Sequence, residues 1–110
     1  MNHGELRVDV IAEHRLVATF PDGELAPVVL RVGMPFAHVK GDYACRVEAE
    51  GLRLWEGPTE IFGASSFQAL ALGLRHLRSM LAAEVKHGAV FHMKGGDHPV
   101  SVESLFGRIE

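Results

Sequence analysis

Apolar and polar residues alternate through the first half of the chain, and the apolar spacing then changes to three and four. Leu6, Val8 and Val10 alternate with Arg7 and Asp9, and Ile11 to Phe20 continues as one long bent strand or two short ones. Pro21-Asp22-Gly23 is a turn signal, because proline presets one backbone angle and glycine accepts a positive one. Pro27 to Val32 reads as the next strand, stopped by Gly33-Met34-Pro35, and Phe36 to Asp42 reads as a loop. Tyr43, Cys45, Val47 and Ala49 alternate with Arg46, Glu48 and Glu50, so one face of that strand is dry and the other wet. Glu50-Gly51 fits a tight hairpin, with Leu52 to Trp55 as the returning strand. Gly57-Pro58 interrupts it, and Glu60 to Phe62 leads on to the next element.

Gly63 to Gly88 carries a complete helix signal. Ser65 is the N-cap, with Gln68 three positions on to complete a capping box. Phe67, Leu70, Leu74, Leu77, Leu81 and Val85 form the expected core stripe, and Gln68, Arg75, Ser79, Ala82 and Lys86 fall on the opposite face. Lys86 and His87 sit at the negative end of the helix dipole, and Gly88 can adopt the left-handed conformation that stops a helix. A weaker apolar line runs through Leu72, Met80 and Ala83 with His76 beside it; it belongs to a broad buried face or to a contact with a partner or second copy. Beyond the helix, Ala89 to Met93 predicts a short strand and Val102 to Phe106 a helical turn. Strands, one long helix and a last short strand predict an α+β fold, an antiparallel sheet meander with one long helix packed across one face. At 110 residues a single domain spanning 1–110 is expected, large enough to bury a core without disulfides or metals.

Composition narrows the function classes. Hydrophobic residues make up 47% and charged residues 23%, an ordinary globular balance. The net charge of −3 leaves no basic excess to neutralise phosphates, so no nucleic-acid partner is expected. The N-terminus lacks the apolar core of a signal peptide and no stretch is long enough to span a membrane, so no membrane partner is expected. The lone Cys45, read as a small buried hydrophobe, fits a cytoplasmic location.

Histidine is the richest source of candidate chemistry. Glu84, His87, His92 and His98 are the candidate metal ligands, with zinc as the metal, because imidazole and carboxylate are ordinary zinc donors. A metal needs three or four of them to converge, and no H-x-H, H-E-x-x-H or C-x-x-C spacing enforces that. Gly95-Gly96 reads as a surface turn rather than a phosphate nest, Ser65 and Ser66 as helix caps rather than nucleophiles, and Glu48 and Glu50 as a solvated face. The loop Gly57 to Ser66 is the best place for a small anion or a partner loop. Trp55, placed near Tyr43 by the hairpin reading, is expected in the core or at an interface. No catalytic and no cofactor-binding residue is expected.

Four segments carry a family resemblance: Ile11-Ala12-Glu13-His14-Arg15-Leu16, Val28 to Pro35, Asp42-Tyr43-Ala44-Cys45, and Ile61 to Leu72 with Gly63-Ala64-Ser65-Ser66-Phe67-Gln68-Ala69-Leu70 at its centre. With these the chain resembles a small bacterial family of domains of unknown function, whose members start I-A-E-x-R-L and usually show G-x-D-S-x-Q-A-L at the helix start. Ser65 stands where Asp is common, which keeps an N-cap and loses a carboxylate. The resemblance implies no activity and no site residue.

The expected role is therefore a non-enzymatic protein-interaction or accessory module, with an immunity-type protein that binds and blocks a toxin as one form. Glu24, Glu48, Glu50, Glu56 and Glu60 would meet a basic partner. The rival expectation is a small metal-binding or ligand-binding domain, or an enzyme, using the His-rich C-terminal region. A homodimer through Leu72, His76 and Met80 is the third.

Overall fold

The computed structural model describes residues 9–39, 42–55, 57–96 and 98–107. Leu6, Val8, Glu56 and Asp97 lie outside the described residues. The strands are β1 (Val10–Thr19), β2 (Leu25–Gly33), β3 (Phe36–Ala37), β4 (Tyr43–Glu50), β5 (Thr59–Gly63) and β6 (Val90–His92); the helices are α1 (Ser66–Lys86) and α2 (Val102–Phe106). All pairings are antiparallel, β1 with β2 and β6, and β4 with β2, β3 and β5. The α+β expectation of an antiparallel sheet with one long helix across one face is met. α1 is the crossover, leaving β5 at one edge of the sheet and returning the chain to β6 at the other.

Local differences have local causes. Ile11 to Phe20 belongs to one long strand, with a register shift between Val10 and Ala12. The segment Phe36 to Asp42, expected as a loop, contains β3: Phe36 pairs with Ala44 and Ala37 with Tyr43, and His38 N–H donates to Asp42 O at 2.6 Å. Leu52 to Trp55 does not return along β4. The returning strand is β5, with Tyr43 opposite Gly63 and Val47 opposite Thr59, so the connection is longer than a tight hairpin. Trp55 accordingly meets His76 of α1 edge-on, with ring centroids 5.7 Å apart, rather than standing on the sheet beside Tyr43.

The helix begins and ends as its caps dictate. Ser65 Oγ accepts from Gln68 N–H at 3.1 Å, and Gln68 Oε1 accepts from Ala64 N–H at 2.6 Å, one residue before the cap. His87 is the C-cap and Gly88 follows with φ +100°. The buried line is Ala69, Gly73, Leu77, Met80, Leu81 and Glu84, rotated about one position from the expected stripe. The rotation puts the small residues over the sheet. A Cβ on Gly73 would lie 3.0 Å from Cys45 Sγ and 3.1 Å from Val47 Cγ1, so α1 rides on β4 closer than a larger residue permits. Gly63 is tighter: a Cβ there would lie 2.5 Å from Ala69 N. Phe67, Leu74 and Val85 are left exposed by the same rotation, Phe67 at 80%. The core between helix and sheet is one cluster, with Leu16, Val28, Leu30, Cys45, Val47, Leu77, Leu81 and Phe91 among its members.

Candidate functional site

Strand alternation sends Leu30 and Val32 to the helix side and Val29, Arg31 and Gly33 to the open face of the sheet. Register then assembles a cluster there. Glu13 of β1 stands opposite Arg31 of β2, and Arg31 stands opposite Glu48 of β4, with Glu50 one row away opposite Val29. Arg31 Nε donates to Glu13 Oε1 at 3.3 Å, and Nη1 donates to Glu48 Oε1 at 3.1 Å and to Glu50 Oε1 at 2.7 Å. The Arg31 side chain is only 6% exposed on this otherwise open face. Burial pulls its pKa down, but the bonds to Glu50 and Glu48 outweigh that and raise it, so the guanidinium stays charged. Arg15 pairs with Glu13 at 2.9 Å, and Arg46 pairs with Glu60 at 3.1 Å on the side toward β5.

Beside this cluster lies a cavity of about 380 Å³ lined by Asp9, Val10, Arg31, Gly33, Met34, Phe36, Arg46, Glu48 and Pro58. Among the described residues Arg31 Nη2 has no hydrogen-bond partner. The next row on the same face is apolar: Phe36, Ala44 and Phe62 stand opposite one another across β3, β4 and β5. Phe62 is 46% exposed, and the His38 ring meets it edge-on at 5.0 Å. The cavity therefore combines guanidinium donors, carboxylate acceptors and an apolar wall, a set suited to recognition. Ser, Thr and Cys are absent from its described lining. Cys45 faces the other way, donating to Gly33 O at 3.4 Å, and burial pushes its thiol pKa up.

A second concavity of about 490 Å³ opens on the helix side, where Leu30, Leu74, Leu77 and Phe106 meet His14. His14 Nε2 is buried there, with no partner among the described residues.

The candidate metal ligands fall in different settings. Glu84 points into the fold at 2% exposure, and its Oε2 accepts from Leu54 N–H at 2.6 Å, tying the Leu52–Trp55 segment to α1. His87 is exposed at the helix end, its Nδ1 donating to Ala83 O at 3.0 Å. His92 lies in β6 opposite Val17 and bridges to Pro99, and His98 is exposed in the preceding loop. Among the described residues no three His, Cys, Asp or Glu side chains come together to hold a metal ion. Of the interface candidates, Met80 is 1% exposed and belongs to this chain's own core, whereas Leu72 and His76 are half-buried on one flank of α1. His76 Nε2 is buried without a partner among the described residues. Glu24 is engaged by Arg53, which also pairs with Asp22 at 3.0 Å and covers the Phe20 ring. No helix among the described residues is long and apolar enough to cross a membrane.

Arg31 was not among the residues that the sequence singled out. It sits within the apolar run Val28 to Val32, where a lone arginine at an outward-facing strand position signals carboxylates on the neighbouring strands.

No curated protein and no solved structure matches the chain. The family model for DUF6968, a domain of unknown function, matches residues 12–100, and the chain belongs to that family.

Proposed function

We propose that this domain is a non-enzymatic protein-interaction module that binds its partner on the sheet face opposite α1. The observation that carries the reading is the cavity on that face, with the Arg31 cluster on one side and the apolar row Phe36–Ala44–Phe62, exposed at its two phenylalanines, on the other. Apolar anchors ringed by fixed polar groups are what a recognition surface requires. Among the described residues the face carries five carboxylates (Asp9, Glu13, Glu48, Glu50, Glu60) against three guanidinium groups (Arg15, Arg31, Arg46), a balance that favours a basic partner. The internal pairs hold these side chains in place beforehand, which lowers the ordering cost of binding. Blocking a basic toxin, as an immunity-type protein does, is one form of this activity.

The test is site-specific photocrosslinking in the cell of origin, with the photoreactive residue at Phe36 in one variant and at Arg75, on the outer face of α1, in another. The proposal expects one stoichiometric protein adduct from position 36 and none from position 75. Adducts from 75 alone, or none from either, would refute it.

A further inference from the structure

Among the described residues three strands pair with one neighbour only, the two-residue β3 and the longer β5 and β6, and the last two are not equivalent. The outer edge of β6 is already occupied: His92 bridges to Pro99, and Val100 N–H donates to Phe91 O at 2.7 Å. β5 pairs only with β4, and among the described residues nothing hydrogen-bonds to its outer side. In an antiparallel pair alternate residues turn their N–H and C=O groups away from the partner strand, so β5 presents open backbone donors and acceptors. Proteins usually protect such an edge with charge, a bulge or a cover; β5 carries one charge, Glu60, one side of which Arg46 holds, and beside it the half-exposed Phe62.

We propose that the basic partner docks as an extended segment that adds to β5 as the next antiparallel strand, an inference that rests on the docking reading above. The side chains beside the edge specify the segment. On the open face its residues would stand next to Phe62 and Glu60, which asks for an apolar side chain and a basic one in alternate positions. On the helix side the added strand would lie along the flank of α1 that carries Leu72 and His76, because Trp55, in the segment leading to β5, contacts His76 on that flank. The residue between the apolar and basic positions is therefore apolar too. In antiparallel order the motif reads Phe-Val-Arg, or its aliphatic and lysine equivalents. A second copy fits poorly, since β5 (Thr59–Gly63) holds no basic side chain to stand beside Glu60.

The experiment uses the isotope-labelled full chain and a synthetic peptide, Thr-Thr-Phe-Val-Arg-Thr-Thr, followed by amide chemical shifts and amide exchange. The expected result is shift changes and slowed exchange centred on Thr59–Gly63, lost when glutamate replaces arginine in the peptide. Glu60→Gln should weaken binding about two- to fivefold, the range of one cross-strand charge pair. No change at β5 with millimolar peptide, or changes centred elsewhere, would overturn strand addition, as would a dimer whose β5 amides are protected without peptide. If a cellular partner crosslinks from position 36 while the β5 amides stay unprotected in that complex, strand addition fails and the docking face stands. Crosslinking from the outer face of α1 alone removes both.

Discussion

Replacing Arg31 by methionine removes the one cation that three carboxylates share and keeps a side chain of similar reach. Glu48 and Glu50 of β4 would then face Glu13 of β1 across β2, with Arg15 as the remaining partner of Glu13, at positions where Arg31 now stands 2.7 to 3.3 Å from each carboxylate. Removing one partner of a fully buried pair costs about 3–5 kcal/mol, because a desolvated charge remains. These carboxylate side chains are 35%, 30% and 56% exposed, so they can regain water and the cost falls. About 2–3 kcal/mol is the expected loss. With a urea m-value of about 1.5 kcal/mol/M, the midpoint should drop by roughly 1.3–2 M at unchanged m. The sign of coupling is the sharper readout. In wild type, Glu48→Gln should destabilise, whereas in the Arg31→Met background it should stabilise, because it then relieves repulsion. Added salt should recover part of the loss only in Arg31→Met. A change under about 0.5 kcal/mol, the size of an ordinary surface substitution, or a Glu48→Gln substitution that destabilises both backgrounds alike, would refute the account of this cluster.

Three further outcomes follow from the same structure. Gly63→Ala should cost at least about 3 kcal/mol in a thermal or urea melt, because its Cβ meets backbone atoms of Ala69 that cannot yield as a side chain would; a melt within 1 kcal/mol of wild type, roughly the cost of mild overpacking, would contradict it. Cys45 should resist alkylation in the folded chain and react on denaturation. Its thiol pKa is raised from the ordinary 9.0, so above that pH the unfolded chain ionises while the folded chain does not; stability should therefore fall as pH rises past it, and Cys45→Ala should flatten that limb of a urea–pH series. Asp22 is held below its ordinary 3.8 by the Glu24 N–H and then by Arg53. The stability it contributes is present above that value and is lost as pH falls through the lowered one, and Asp22→Asn should remove this acid-side dependence.

The parts of the fold governed by neighbouring residues were readable in the chain. Ser65, Gln68 and Gly88 mark the helix ends because capping is chemistry within a few positions. The alternation of Tyr43 to Glu50 marks a two-sided strand for the same reason. Contacts between distant segments were not readable. Nothing near Thr59 says that it pairs with Val47, and so Leu52 to Trp55 looked like the returning strand. The buried line of α1 missed by about one position because periodicity weighs large apolar residues, whereas the close approach to Cys45 and Val47 selects Ala69 and Gly73. The role of Arg31 is not local in sequence: its three carboxylates come from two other strands, 17 to 19 positions away, and only register brings them together. Glu84, legible as a candidate ligand, instead holds the backbone of Leu54.

The central claim is that the sheet face opposite α1 is the docking surface. Hydrogen–deuterium exchange on the chain isolated with its crosslink-identified partner, compared with the free chain, tests it most directly. The account predicts added protection at Arg31 to Ala37 and Thr59 to Gly63, with the outer face of α1 around Arg75 and Ala82 unchanged. Protection confined to α1, or to the Val90–Phe106 region that holds His92 and His98, would contradict it.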